Sequence, residues 1–188
     1  MKIVIAIVAL SATTLLAAAC TGPLCLGAES EGGGEGGGCS SGNFGTAPPQ
    51  GVPADAACST GAWWVGGNHE SEQMRPGTDC ISCHAREGEG PQYTVAGTVM
   101  GGLGDTDDCQ GVSDVTVRIT DADGQVSDLV TNAAGNFYLR GTVAFPYTAT
   151  LVRGGTEVSM VTAQSNGNCM ACHTAEGAAG APGRIVAP

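Results

Sequence analysis

Two copies of the pattern Cys-x-x-Cys-His carry most of the chemistry that this sequence offers. They run from Cys80 to His84 and from Cys169 to His173. Residues at positions i, i+3 and i+4 of a helix share one face, so each copy presents two thiols and one imidazole on the same side of the backbone. Such a group can bond covalently to one edge of a planar ligand and offer a ring nitrogen to a metal at its centre.

This pattern resembles the heme-attachment signature of the c-type cytochromes, and both copies match that signature in full. The resemblance implies two covalently bound hemes c, with His84 and His173 as the proximal iron ligands and thioethers at the motif cysteines. These cysteines are Cys80, Cys83, Cys169 and Cys172. A zinc ribbon would need its two Cys pairs roughly 15–20 residues apart, and a thioredoxin-like pair would need a βαβ setting. The sequence offers neither.

Few residues can fill the sixth position of each iron. The chain has three histidines, of which two belong to the motifs, so His69 is the one left over. For the first heme we expect either Met74 or His69, and for the second heme we expect Met160. A residue such as Met160 is also compatible with simple core packing on a strand. A Met-ligated heme has a higher potential than a heme with two histidines, so a His69 ligand would make the two hemes unequal.

The N-terminal residues predict export. Lys2 precedes a short apolar run and then small residues, which is typical of a secretory signal over residues 1–19. The stretch Leu15–Cys20 resembles a bacterial lipoprotein signal, although Ala17 stands where that family usually has leucine. The resemblance implies lipidation at Cys20 and a periplasmic or cell-surface lipoprotein. Export without lipidation is the alternative.

The formal net charge of −11 limits the classes of partner. It argues against nucleic acid and against anionic membrane surfaces, so contact with a membrane is expected only through the lipid anchor. The charge favours association with redox proteins that present a basic docking surface. Self-association stays open.

Nine cysteines are many for a chain of 188 residues. Beyond the motifs and the lipidation site, four remain, and an oxidising compartment permits them to pair. We favour a disulfide between Cys58 and Cys109, because both flank the folded region. Cys25 and Cys39 lie in a flexible stretch, and sequence alone does not choose among the three pairings.

Composition and periodicity divide the chain into five segments. Residues 1–19 are the signal, and residues 20–51 are a Gly- and Glu-rich tether with almost no apolar side chain to bury. Residues 52–91 and 164–188 are two heme-binding segments of irregular or short-helical structure. Between them, residues 92–163 form a small antiparallel β-sandwich, so the predicted fold class is mainly β.

Six short segments within the sandwich alternate apolar and polar side chains and are separated by turn residues. The predicted strands are Tyr93–Met100, Val115–Thr120, Val126–Thr131, Asn136–Arg140, Tyr147–Arg153 and Glu157–Ala163. The order of AGTV, GVSDVTVRITDADG, TNAAGNFYL and YTATLVRGG resembles the carboxypeptidase regulatory-like family of β-sandwiches. That resemblance implies a structural or binding module rather than a catalyst.

Taken with the resemblance to c-type cytochromes, these features predict an exported electron carrier rather than an enzyme. Two alternatives stay open. One is a peroxidase-like heme enzyme with an open iron position, in which His69 or Arg75 is the polar distal group, and the other is a surface-binding β-module that carries redox hemes. The number of strands decides the layout: six alternating strands put both hemes at one end of the sandwich, and a seventh puts them at opposite ends.

Overall fold

The computed structural model describes residues 43–53, 56–67, 71–88 and 90–188. The predicted signal, most of the tether, the lipidation site Cys20 and the candidate ligand His69 lie outside the described residues. In the part of the chain that the structure describes, no helix is both long enough and apolar enough to cross a membrane.

The strands are short and follow the alternation of the sequence. In chain order they are Phe44–Gly45 (β1), Trp63–Trp64 (β2), Val95–Met100 (β3), Thr116–Thr120 (β4), Val126–Val130 (β5), Asn136–Leu139 (β6), Thr148–Arg153 (β7), Thr156–Ser159 (β8) and Ile185–Val186 (β9), with helix α1 at Cys80–Glu87 and a 3-10 helix at Cys169–Ala171. Strands β3 to β8 correspond to the six that the sequence predicts. The first five are shorter by one or two residues, and β8 begins one residue earlier and ends four residues earlier than predicted. The other three have two residues each, which is too short for periodicity to reveal.

Two sheets pack against each other and confirm the predicted β-sandwich. One has the strand order β6-β3-β9 and the other has the order β5-β4-β7-β8. Neighbouring strands are antiparallel, except that β9 runs parallel to β3. The core between the sheets consists of Val95, Val99, Val115, Val117, Ile119, Phe137, Tyr147 and Leu151. Burial of this apolar surface is the main force that holds the sheets together.

Strand β3 has no side that faces solvent, because all six of its residues are buried. Val95 and Val99 belong to the core between the sheets. On the other face, Thr98 Oγ1 accepts a hydrogen bond from the backbone N–H of Gly77 at 2.9 Å and donates to Asn136 Oδ1 at 2.7 Å. The segment before α1 therefore forms a third layer, which the sequence pattern did not predict.

The side chain of Asn136 holds this third layer in place. Its Nδ2 donates to the carbonyl oxygen of Met74 at 2.9 Å and to that of Glu72 at 3.3 Å. Because Asn136 is itself buried within β6, these bonds connect the segment before the first motif directly to the sandwich.

A second buried cluster joins the segment before the first motif to the sandwich. Met100 packs there with Trp63 and Cys109, so Met100 is a core residue. Cys109 forms a disulfide with Cys58, which is the pairing that the sequence favoured. The two cysteines are 51 residues apart in sequence, and closing a loop of that length stabilises a fold by about 4 kcal/mol in the chain-entropy model.

After β8 the chain returns to β3. The N–H of Ala96 donates to the carbonyl oxygen of Gly167 at 3.0 Å, and Asn168 forms a parallel bridge with Ala96. Gly167 lies so close to the strand that a Cβ atom at this position would be 1.8 Å from the carbonyl oxygen of Thr94. Glycine is therefore required where the second motif approaches the sandwich.

We predict that Gly167→Ala lowers the free energy of unfolding by about 3 kcal/mol, because the obstructing Thr94 carbonyl belongs to the backbone and cannot rotate away. Gly104→Ala is the matched control, since no described atom lies within 4 Å of its Cβ position. Urea denaturation of both variants measures the difference. Equal stability of the two variants would contradict the close approach to β3.

Candidate functional site

Helix α1 carries the first motif and begins at it. Asp79 is the N-cap, and its carboxylate accepts a hydrogen bond from a backbone N–H of the first turn at 2.8 Å. Gly88 ends the helix in the left-handed conformation, with φ of 69°. Cys80, Cys83 and His84 therefore occupy positions i, i+3 and i+4 of a regular helical turn, as their spacing predicts.

The imidazole of His84 is fixed by its surroundings. Its Nδ1 lies 2.8 Å from the carbonyl oxygen of Pro91. A carbonyl can only accept, so Nδ1 carries the proton and Nε2 keeps its lone pair for a metal. The ring packs against Tyr93, with 5.2 Å between centroids, and against Gly90, where a Cβ atom would come within 3.2 Å of Cε1. These contacts hold the imidazole ring in one orientation.

The second motif reaches the same arrangement with a shorter helix. The N–H of His173 donates to the carbonyl oxygen of Cys169, at the start of the 3-10 helix, at 3.0 Å. Nδ1 of His173 lies 2.9 Å from the carbonyl oxygen of Gly183. Both motif histidines therefore bind a downstream backbone carbonyl through Nδ1 and leave Nε2 available.

Burial keeps two of the motif thiols, those of Cys80 and Cys169, protonated. Cys80, Cys169 and Cys172 are free thiols. Burial, with a smaller contribution from the charge of Asp79, raises the pKa of Cys80 to about 11. Burial also raises the pKa of Cys169 to about 12. Because the thiolate is the form that reacts with disulfides and oxidants, Cys80 and Cys169 stay as thiols at neutral pH and remain available for thioether formation.

Cys83 differs from the other motif cysteines. Its sulfur is in a disulfide. A disulfide and a thioether to heme exclude each other at one sulfur atom. Heme attachment at the first motif therefore requires Cys83 in its reduced form.

A cavity of about 340 Å³ opens beside the first motif, and this volume is within the range of small-molecule pockets. Its lining includes Cys80, Cys83, His84, Met74, Arg75 and Arg86. The cavity thus brings together two sulfurs, one imidazole, one thioether and two guanidinium groups. Guanidinium groups suit the carboxylates of a heme, because they bind carboxylate through paired hydrogen bonds.

The three candidates for the sixth iron position have different outcomes. Met74 lines the same cavity as the first motif, and its role as an iron ligand stays a prediction. His69 lies outside the described residues. Met160 follows β8, and its backbone N–H donates to the carbonyl oxygen of Ala149 at 2.9 Å. That bond ties Met160 to the four-stranded sheet, and its role as a ligand of the second heme stays a prediction.

The two motifs contact each other through one side chain. Asn168, which directly precedes the second motif, donates from Nδ2 to Asp79 Oδ2 at 2.7 Å and to Ser82 Oγ at 3.3 Å. Partial burial opposes ionisation of Asp79, but the hydrogen bonds from Asn168 and Ser82 outweigh it and hold the pKa of Asp79 below its usual value. Of the two layouts that the sequence left open, the structure has the motifs side by side.

The other end of the Asn168 amide is not satisfied. Its Oδ1 is buried and has no hydrogen-bond partner among the described residues. A buried acceptor without a partner costs about 1–3 kcal/mol. The cost would be removed if a further group, between the two motifs, donated a hydrogen bond to Oδ1 of Asn168.

Two of the residues that orient the histidines were missed from sequence, because they act through backbone atoms. Pro91 and Gly183 contribute carbonyl oxygens, which every residue type has, so no sequence signal distinguishes them. Asn168 did carry a signal: like Asp79, it is a good N-cap residue and stands directly before a motif cysteine.

Free metal ions require a different kind of site. Among the described residues, no group of three or more His, Cys, Asp or Glu side chains is placed to hold a metal ion. A heme iron needs fewer protein ligands, because the porphyrin supplies four nitrogen atoms.

No protein-family model, curated protein or solved structure matches this chain. The resemblances to c-type cytochromes and to carboxypeptidase regulatory-like modules therefore stay predictions from the sequence. The geometry of the two motifs carries the functional argument.

We predict a coupling energy of about 1 kcal/mol between Asp79→Ala and Asn168→Ala in a double-mutant cycle, because each substitution removes the same hydrogen bond. The free energies of unfolding of the two single variants and the double variant give this value. Asp128→Ala combined with Asn168→Ala is the control, because Asp128 pairs with Arg118 on the four-stranded sheet. Its effects should add to within about 0.5 kcal/mol. Additivity in both cycles would contradict a direct contact between the motifs.

Proposed function

We propose that this protein is an extracytoplasmic di-heme c-type cytochrome that transfers electrons between redox partners. One observation carries the proposal. Both motif histidines bind a backbone carbonyl through Nδ1, at 2.8 Å for His84 and at 2.9 Å for His173, and so keep the Nε2 lone pair on an imidazole that directly follows a motif cysteine in the sequence. A heme in such a site supplies an iron that takes up and releases one electron at a time.

The residues of the chain then have separate roles. Cys80 and Cys83 hold the first heme, and Cys169 and Cys172 hold the second. His84 and His173 bind the two irons. At the first site, the thioether of Met74 is the sixth ligand that the shared cavity favours. Arg75 and Arg86 line the same cavity. Arg75 pairs with Asp108 at 3.0 Å and Arg86 with Glu87 at 2.9 Å, so a carboxylate of the heme would share these guanidinium groups with Asp108 and Glu87.

The contact between the motifs favours electron exchange within one molecule. The Asp79–Asn168 hydrogen bond of 2.7 Å joins the residues that precede the two heme-binding helices. Hemes bonded to the cysteines of the two motifs would be attached to segments that contact each other, and this contact would favour passage of an electron from one site to the other.

Export and partner choice follow from the sequence and stay part of the proposal. Residues 1–19 direct export, and Cys20 anchors the protein through a lipid. Residues 92–163 act as a carboxypeptidase regulatory-like module that spaces and supports the two sites. The net charge of −11 favours redox partners with a basic docking surface.

A heme enzyme with an open iron position is the second candidate. Arg75 is a polar group in the cavity of the first motif, as a distal group would have to be. Its guanidinium pairs with Asp108 at 3.0 Å, which restricts its movement toward a bound substrate. Carbon monoxide binding to one heme at full stoichiometry would favour the enzyme over the electron carrier.

The proposal is tested by heme content. Expression with c-type cytochrome maturation machinery should give a coloured protein whose mass exceeds that of the polypeptide by two hemes. Cys80→Ala/Cys83→Ala and Cys169→Ala/Cys172→Ala should each retain one heme, because each removes one pair of thioethers. Cys58→Ala/Cys109→Ala removes two cysteines outside the motifs and should retain both.

The same holoprotein tests the arrangement of the sites. Two porphyrins held side by side couple their transitions, so circular dichroism in the main heme absorption band should show a positive and a negative lobe. Each single-heme variant should lose the two-lobed signal, because that signal requires both porphyrins. A colourless wild-type protein would overturn the proposed function, whereas two hemes without coupling would overturn only the arrangement.

We predict that Met74→Ala weakens electron binding by the first heme at least about tenfold, which is about 59 mV for a one-electron couple, because a thioether ligand favours the reduced iron. Spectroelectrochemical titration of the Cys169→Ala/Cys172→Ala background measures this heme alone. Met100→Leu is the control, because Met100 is fully buried in the core cluster. An unchanged potential in Met74→Ala together with a changed one in His69→Ala would assign the ligand to His69.

A further inference from the structure

Arg184 is a buried cation beside both motifs. Only 4% of its surface is exposed. Its Nε donates to the carbonyl oxygen of Asp105 at 2.8 Å, and its Nη1 donates to the carbonyl oxygens of Gly77 at 2.7 Å and His173 at 3.3 Å. Its Nη2 donates to the carboxylate of Asp107. A guanidinium is rarely buried this deeply unless it is fully bonded.

Gly183 and Arg184 together hold the second histidine. The carbonyl oxygen of Gly183 accepts from Nδ1 of His173 at 2.9 Å, and Nη1 of Arg184 donates to the carbonyl oxygen of His173 at 3.3 Å. Gly183 has φ of 150°, and a Cβ atom there would be 2.6 Å from the carbonyl oxygen of Leu103. Two adjacent residues thus fix both the ring and the backbone of His173.

The same guanidinium reaches the segment before the first motif. A Cβ atom on Gly77 would lie 3.4 Å from Cζ of Arg184, and the N–H of Gly77 is bonded to Thr98 on β3. The positive charge of Arg184 therefore lies between the two heme-binding segments and within hydrogen-bonding distance of the backbone of each.

Two carboxylates near Arg184 offset its charge only in part. The side chain of Asp107 is 60% exposed, so water screens its charge. The carboxylate of Asp105 is buried and accepts from the N–H and Oγ of Ser59 at 2.8 Å and 2.7 Å and from the N–H of Gly102 at 3.0 Å. Removal of the Arg184 charge would leave the carboxylate of Asp107 without its ion-pair partner.

We propose that Arg184 is a positioning residue that also raises the reduction potential of the second heme and, to a smaller extent, that of the first. This inference rests on the proposed function. Reduction adds one electron to the iron, and a buried cation stabilises that electron because charges in a protein interior are weakly screened. The effect is larger at the second site, since Arg184 binds the carbonyl of the histidine that ligates its iron.

The test compares Arg184→Gln with Arg184→Lys in the holoprotein by spectroelectrochemical titration, with the single-heme variants used to assign each potential. Arg184→Gln should weaken electron binding at the second heme about tenfold, which lowers its potential by about 59 mV, and should affect the first heme less. Arg184→Lys keeps the charge and should keep most of the potential. Arg118→Gln is the control, because Arg118 is an exposed arginine that pairs with Asp128 on the four-stranded sheet.

Unchanged potentials in Arg184→Gln with both hemes attached would overturn the inference and leave Arg184 a purely structural role. An equal loss in the Gln and Lys variants would overturn it as well, because the loss would then follow the hydrogen bonds and not the charge.

If Arg184→Gln does not retain the second heme, the Asp107→Asn variant provides the test instead. That variant removes an opposing charge and should strengthen electron binding at the second heme about twofold, and an unchanged or lowered potential would count against the inference. A colourless wild-type protein would remove the proposed function itself.

Discussion

The burial of β3 on both faces is the constraint on which the rest of this structure depends. One face belongs to the apolar core, and the other is covered by the segment that leads into the first motif. Beside the strand, the chain that leads into the second motif returns at Gly167, and β9 follows. A shift of register by one residue would turn every side chain of β3 to the wrong face. The strand therefore fixes the positions of the two stretches that precede the motifs, although these stretches are distant in sequence.

The two motifs have different local structures, but their histidines make the same kind of hydrogen bond. An α-helix carries the first motif and a 3-10 helix carries the second, yet both histidines end with Nδ1 on a carbonyl and Nε2 available. The helix sets only the spacing of the sulfurs and the imidazole. The downstream loop sets the tautomer and direction of the ring, and so it decides whether the group can act as a ligand. The proposed electron transfer depends on these loops as much as on the motifs.

Much of this arrangement could be predicted from side-chain patterns. Alternation of apolar and polar side chains located six of the seven strands in the two sheets and missed only β9, which has two residues. The Cys58–Cys109 pairing followed from the position of these residues beside the folded region. The helix at the first motif followed from the positions of Cys80, Cys83 and His84.

What the sequence did not show depends on the backbone or on residues without a periodic pattern. The third layer over β3 is built by the irregular residues near Gly77, whose N–H bonds Thr98. The carbonyl acceptors at Pro91 and Gly183 have no signature in residue type. Arg184 is an ordinary charged residue in the sequence, and only its burial against three carbonyl oxygens sets it apart.

The direction of β7 places its two ends in different surroundings, and this has a practical consequence. At the start of this strand, the hydroxyl of Tyr147 lies 4.0 Å from Sγ of Cys169. At its other end, about 20 Å away for six residues of strand, the Gly154–Gly155 turn has no described atom within 4 Å of either Cβ position. A tag or a surface linker grafted into that turn would tether the molecule by the end opposite its second motif. Electrodes coated in this way would carry a layer of uniformly oriented molecules with both motifs facing the electrolyte.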